Sequence, residues 1–178
     1  KQYYTYLLEQ YDEVCAVDEM SLKSLFTDMA FDGQWKPALE FMAQAYAKVS
    51  SIRDSIEGER NLQGFFMAYL NLNSYYYTMP ELELNHGYCD FFLLPDLTHY
   101  DTKHSYIIEL KMLSKKDFGA MADNGKQTKA EEQWEQAVEQ INRYADAPRV
   151  EALRQGTQLH KIIMQFEGYQ LKRIGEID

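Results

Sequence analysis

The sequence predicts an α/β/α sandwich around a mixed central sheet, preceded by an N-terminal helical segment. Three observations predict it. Residues 1–50 carry apolar side chains at helical spacing. Residues 75–111 then hold three strand-like apolar runs separated by short polar connections, the pattern of an antiparallel meander. After these come a long amphipathic stretch and two further strand-like runs, so helices flank the strands in sequence and both faces of a sheet can be covered.

In chain order, Tyr3, Tyr4, Leu7, Leu8 and Tyr11 predict a first helix, and Leu22, Leu25, Phe26 and Met29 a second over Ser21–Ala30. Asp32 to Pro37 reads as a loop, with Pro37 opening a helix that carries Leu39, Phe41, Met42, Ala45, Tyr46 and Val49. A further helix is expected over residues 52–72. Its stripe of Ile52, Ile56, Gln63, Phe66 and Leu70 also contains Glu59, a carboxylate that is either an edge-of-face residue or aimed at a site. Tyr75–Thr78 has strand propensity, and Pro80 limits that strand to an edge or an end. Gly87 marks a turn or bulge before the strand of Asp90. Pro95 to Lys103 is a hairpin-like connection, and Tyr106–Lys111 is the third strand. Lys115–Gln127 reads as a loop broken by Gly119 and Gly125. The capping box Thr128–Glu131 starts a helix whose buried stripe is Ala130, Trp134, Ala137, Val138, Ile141 and Ala145, and which ends before Pro148. Leu159–Phe166 and Tyr169–Ile174 are strands joined by a turn at Glu167-Gly168.

With 178 residues, 46% apolar and 26% charged, the chain can build one domain with a substantial core plus a helical extension. No apolar run is long enough to span a membrane and no signal segment is visible at the start. The start at Lys1 predicts a piece cut from a longer chain. Cys15 and Cys89 fit neither a zinc site nor a disulfide framework, so reduced thiols in the cytoplasm are expected. A net charge of −10 argues against an extensive nucleic-acid surface. The charge is uneven, however. Lys103, Lys111, Lys115, Lys116, Lys126 and Lys129 face only Glu109, Asp117 and Asp123 between residues 103 and 129, a positive window expected to surround the site described next.

Charges interrupt the two strand-like runs Cys89–Leu94 and Tyr106–Lys111. Residues two apart on a strand share a face, so Glu109 and Lys111 stand side by side behind Ile107, while Tyr106, Ile108 and Leu110 cover the other face. A strand apolar on both faces is central, and charges at its end lie in a cleft. If the runs pair, Asp90 joins them. Two carboxylates beside an ammonium suit a hard divalent cation and a polarised water. The bland alternative is a solvent-facing strand end with a weak surface ion pair. Glu83, and less so Glu81, are candidate extra ligands, and His86 lies close enough in sequence to contact a substrate, although a loop histidine is more often structural. No Ser-His-Asp order or Cys-His pair is convincing, and no GxGxxG or GxxxxGK[ST] loop is present.

Asp90, a spacer and Glu109-Leu110-Lys111 on an apolar strand resemble the PD-(D/E)XK nuclease superfamily. Glu59 to Phe65 followed by Pro80 to Asp90 resembles the nuclease-like domain at the C-terminus of bacterial AAA-ATPase-like proteins, common in gut Bacteroidetes. Gln140 and Tyr144 match the Gln-x-x-x-Tyr signature that follows the ExK strand in the RecB-type branch. The resemblance covers about residues 52–175. It implies a restriction-endonuclease-like core at 51–178 after a helical extension at 1–50, the latter adjoining an ATPase-like region of the parent protein. It also implies hydrolysis of DNA or RNA phosphodiester bonds with Mg²⁺ or Mn²⁺. Asp90, Glu109 and the backbone carbonyl of Leu110 would be ligands, Glu59 would complete the shell or position a water, and Lys111 would activate the water or stabilise charge. Gln140 would steady the site or contact the substrate backbone, with Tyr144 packing against it. A silent module docking nucleic acid or the ATPase-like part, and a domain promoting homo-oligomerisation, are the alternatives from other classes.

Overall fold

The computed structural model describes residues 18–52, 59–113 and 123–178. Three helices come first: α1 (Glu19–Asp32), α2 (Trp35–Ile52) and α3 (Glu59–Leu70). Asp18 caps α1 by accepting the Ser21 N–H at 3.1 Å, and Gly33 ends it in the left-handed conformation, φ 69°. The three meander strands follow as β1 (Tyr76–Leu84), β2 (Gly87–Pro95) and β3 (His104–Leu113). The chain continues through α4 (Asp123–Ala145) and α5 (Pro148–Arg154) to the hairpin of β4 (Gln158–Glu167) and β5 (Gln170–Ile177).

The sheet order is β1-β2-β3-β4-β5. All neighbours are antiparallel except β3 and β4, which run parallel because the long excursion through α4 and α5 separates them. Helices cover both faces. On one, Leu22, Phe26, Leu39, Tyr46 and Phe65 of α1–α3 pack against Tyr106, Ile108, Leu110 and Phe166. On the other, Trp134, Ala137, Ile141 and Tyr144 of α4, with Val150 of α5, pack against Phe92, Ile107 and Ile163. The expected alternation along β3 therefore holds, with Tyr106, Ile108 and Leu110 on one face and Ile107 on the other. The apolar faces of α1 and α2 are buried in this chain's own core.

Several boundaries differ from expectation. Ile52 belongs to α2 and not to the helix expected over 52–72, which is described over Glu59–Leu70; residues 53–58 lie outside the described residues. The helix expected from Thr128 begins at Asp123, so Gly125 lies inside it and Thr128–Glu131 is not its cap. Gly costs only about 1 kcal/mol in a helix, and the packing of a long buried stripe outweighs that. Pro148 opens α5, where a missing N–H is harmless. The first expected helix, around Tyr3–Tyr11, lies outside the described residues. No described helix is long and apolar enough to cross a membrane.

Candidate active site

The site forms where β2 leaves β3. The two strands pair only over Phe91–Leu93 and Ile108–Tyr106. Continuing that register sets Asp90 across from Glu109, but here a side chain replaces the ladder: the Leu110 N–H donates to Asp90 Oδ2 at 2.7 Å. The other oxygen, Oδ1, accepts from Gln63 Nε2 on α3. On the far side of β2, Glu81 sits between the pairs Pro80–Phe91 and Leu82–Cys89 with φ 49°, a left-handed conformation unusual for a glutamate. The backbone is thus distorted on both sides of Asp90, and its carboxylate is held by two N–H donors from different elements.

Glu109 lies one step along β3 and is 1% exposed. Its Oε2 accepts from Lys111 Nζ at 3.1 Å, while its buried Oε1 has no hydrogen-bond partner among the described residues. Burial, followed by the negative charge of Asp90, pushes its carboxyl up to about 8 against the opposing pull of Lys111. A buried, unpartnered carboxylate oxygen beside a second carboxylate is suited to a divalent cation, which would satisfy both and remove their repulsion. Hard oxygen donors of this kind fit Mg²⁺ or Mn²⁺. Among the described residues, no group of three or more His, Cys, Asp and Glu side chains forms a cage. The side chain of Glu59 lies outside the described atoms, although α3 begins at that residue.

Lys111 is positioned by α4. Its ammonium donates to Gln140 Oε1 at 3.0 Å as well as to Glu109, and Gln140 Nε2 donates to the Tyr144 hydroxyl at 2.6 Å. Among the described residues, two of the three ammonium donors are engaged. Gln140 and Tyr144 meet because residues four apart stack on a helix. Tyr144 in turn needs Gly87, since a Cβ there would come within 2.6 Å of the hydroxyl. Gly87 starts β2 after a tight turn in which Asn85 and His86 take positive φ.

The remaining candidates are scattered. Glu83 and His86 are exposed at the far end of the β1–β2 hairpin, whose tip is tied by Asn85 Nδ2 donating to the Arg143 carbonyl at 2.8 Å. No hydrogen bond or ion pair links either residue to Asp90, Glu109 or Lys111. The register favours Glu81 over Glu83 as the acid nearest Asp90, because residues two apart on a strand are displaced by roughly 7 Å. Lys103 pairs with Asp101 before β3, at the opposite end from Lys111, so it is not part of the basic surround. Lys115 and Lys116 lie outside the described residues. Cys89 is fully buried, and burial followed by Glu109 and Asp90 raises its thiol to about 12, which leaves it inert.

Two parts of the site escaped sequence reasoning. Gln63 stood on the expected helix stripe but received no role. Gln133 and Gln165 form a polar seam below Lys111: Gln165 Nε2 donates to Gln133 Oε1 at 3.0 Å and to the Ala130 carbonyl at 2.8 Å, and Gln133 Nε2 donates to the Met112 carbonyl at 3.2 Å. A signal existed, since Gln133, Ala137, Gln140 and Tyr144 repeat at helical spacing and Gln165 is a buried polar residue in an apolar strand.

The profile of the PD-(D/E)XK nuclease superfamily matches residues 57–176, which contain every site residue named above. A five-stranded mixed sheet with helices on both faces is consistent with the restriction-endonuclease-like fold. The chain belongs to the PD-(D/E)XK nuclease superfamily. No curated protein and no solved structure matches it.

Proposed function

We propose that this domain is a divalent-metal-dependent nuclease that hydrolyses phosphodiester bonds of DNA or RNA. The observation that carries the proposal is the Asp90–Glu109–Lys111 cluster, with the orphaned Glu109 Oε1 facing a second carboxylate where two strands part. Asp90 and Glu109 would hold Mg²⁺ or Mn²⁺. In a strand the N–H and C=O of one residue point to the same side, so the Leu110 carbonyl points with its N–H towards Asp90 and can add a third oxygen. Glu59 lies one helical turn before Gln63 on the same face of α3, which supports a place in the same shell. When bound, the cation supplies Lewis-acid polarisation of the phosphodiester and lowers the pKa of the attacking water.

The chain's own residues do the rest. Lys111 directs an N–H to the water or to a non-bridging phosphate oxygen, where charge builds as the new P–O bond forms and the old one breaks. Gln140 holds the ammonium in that direction, and Tyr144 fixes Gln140. Gln63 orients Asp90 without touching the reacting atoms. Residues 1–50 are proposed as the segment adjoining an ATPase-like region of a cytoplasmic, bacterial parent protein. Self-association of the chain would accompany that context.

A second reading, a catalytically silent module docking nucleic acid or that ATPase-like part, is favoured by the net charge of −10. Calorimetric titration of Mn²⁺ into wild type and Asp90→Ala, followed by cleavage assays on single- and double-stranded DNA and RNA, separates the two. Metal binding that vanishes in the variant, together with cleavage by wild type, supports the nuclease. Metal binding with no cleavage of any of the four substrates supports the silent module.

A further inference from the structure

Away from the candidate active site, two histidines and a glutamate form a chain of hydrogen bonds near the amino ends of β3 and β4. His104 opens β3, and His160 lies near the start of β4. Their rings meet at His104 Nδ1 and His160 Nε2, 2.8 Å apart. His160 Nδ1 donates to Glu176 Oε1 of β5 at 2.5 Å, and Glu176 Oε2 accepts the Trp35 indole N–H of α2 at 2.9 Å. His104 in turn lies against the Gly33 turn between α1 and α2, where a Cβ would come within 2.8 Å of its ring. The chain therefore begins and ends on one corner of the helical layer and ties it to three strands. Tyr106 seats His160, with ring planes 16° apart and centres 4.8 Å apart.

A carboxylate only accepts, so His160 Nδ1 carries a proton. In a neutral His160 the other nitrogen, Nε2, is then a lone pair and accepts from His104 Nδ1–H. One added proton is tolerated, because it can sit on His160 Nε2 while His104 accepts at Nδ1 and keeps its own proton on Nε2. A second added proton puts two N–H groups head to head at 2.8 Å. His160 is 5% exposed, which leaves little room for water to take over its half of the bond. The neighbours bear on the same step. Burial, followed by the charge of His160, holds the His104 ring below the ordinary histidine value, against the pull of the Phe31 carbonyl, Asp32 and Glu176. The Tyr76 and Tyr106 hydroxyls beside the pair are kept neutral by burial, and Lys103 is paired with Asp101.

We propose that the His104–His160 pair is an acid-sensitive latch, closed over the α1–α2 corner while at most one ring is charged and opened when both are. Opening parts His104 from His160 and frees the Gly33 turn, next to which the Ala30 carbonyl accepts the Lys103 N–H at 3.1 Å. The folded His104 ring takes a proton less readily than an unfolded one, so the open corner binds the extra proton. The closed state is fully stable above about pH 6.5 and loses stability as the pH falls below it. The latch stands apart from the nuclease reading. His104 and Glu109 are at opposite ends of β3, roughly 17 Å apart along an extended strand, so the candidate active site keeps its geometry when the corner opens.

Amide hydrogen exchange of the full chain, followed by NMR in EDTA from about pH 7.5 to about pH 5, tests the latch. Protection, corrected for the intrinsic exchange rate, is read at the corner on Lys103 and Trp35, whose N–H groups bond to the Ala30 and Gly33 carbonyls, and in the core on Ile108 and Ile162. One proton taken up on opening raises the opening constant about tenfold per pH unit, so the corner should lose about tenfold protection per unit below about pH 6.5 while the core keeps its own. His104→Gln, whose amide can still donate to His160 Nε2 but takes up no proton, should hold the corner's protection flat across the range. Corner protection in wild type that does not change with pH overturns the latch. An equal loss in His104→Gln overturns it too, because the titrating group then lies elsewhere, as does a parallel loss at Ile108 and Ile162, which is global acid unfolding. If His104→Gln does not fold, the ring ¹⁵N shifts of wild type decide. Two separated protonation steps, each sensed by both rings, support the latch, and one step at the ordinary histidine value in each ring overturns it.

Discussion

Glu109→Gln should stabilise the metal-free protein, and increasingly so as the pH rises. The folded carboxyl is pushed up to about 8 from its ordinary 4.5, because ionising it places a charge in a 1%-exposed position beside Asp90. A folded value above the unfolded one means that the folded state binds the extra proton. The stabilisation from that proton is complete below about 4.5 and is lost as the pH rises through about 8. Between about pH 5.5 and about pH 8.5 the wild type should therefore lose roughly 3 kcal/mol relative to a variant that cannot ionise. Other groups titrate in both proteins, so the difference between them isolates position 109. Urea unfolding in EDTA at the two pH values measures it. A difference that does not change with pH, or a variant that loses ground at the higher pH, would refute the account of Glu109 as a buried, proton-holding carboxyl. Saturating Mn²⁺ should reverse the ranking at pH 8.5, because the cation binds the ionised carboxylate and displaces the proton.

Lys111→Ala should abolish turnover yet leave Mn²⁺ affinity nearly intact, since an ammonium is not a ligand; surviving turnover removes Lys111 from the chemistry. Gln63→Leu should weaken Mn²⁺ binding several-fold and cost about 1.5–3 kcal/mol of stability, the range for a hydrogen bond to a charged group, because Asp90 Oδ1 loses its donor. Gln63→Asn, whose amide is one methylene short, should not restore it. Gly87→Ala should displace Tyr144 and loosen Gln140 from Lys111, lowering kcat with little change in Mn²⁺ affinity; an unchanged kcat would show that the Gln140–Tyr144 arm does not position the lysine.

The local periodicities of the chain carried far. Alternation along Tyr106–Lys111 separates the face of Ile107, Glu109 and Lys111 from that of Tyr106, Ile108 and Leu110, and the two cores divide along that line. The spacing of Gln140 and Tyr144 predicts their contact, which the structure contains. Boundaries were harder to place. Gly125 reads as a breaker by propensity, but the buried stripe of α4 holds the helix through it. The stripe read from Ile52 starts too early, because Ile52 is the last described residue of α2.

By itself the sequence determined the order of elements, the layered fold, and the shared face of Glu109 and Lys111, because each follows from a repeat of two or about four residues within one segment. Only the tertiary structure decided how far β2 and β3 stay paired, and hence that Asp90 takes the Leu110 N–H in place of a strand carbonyl. Only it brought Gln63 from α3 to Asp90, set Glu81 rather than Glu83 opposite that aspartate, and laid Gln165 beside Lys111. Register between strands and the docking of helices are set by packing between segments far apart in the chain. A one-segment pattern specifies which face a residue takes and says nothing of what stands across from it.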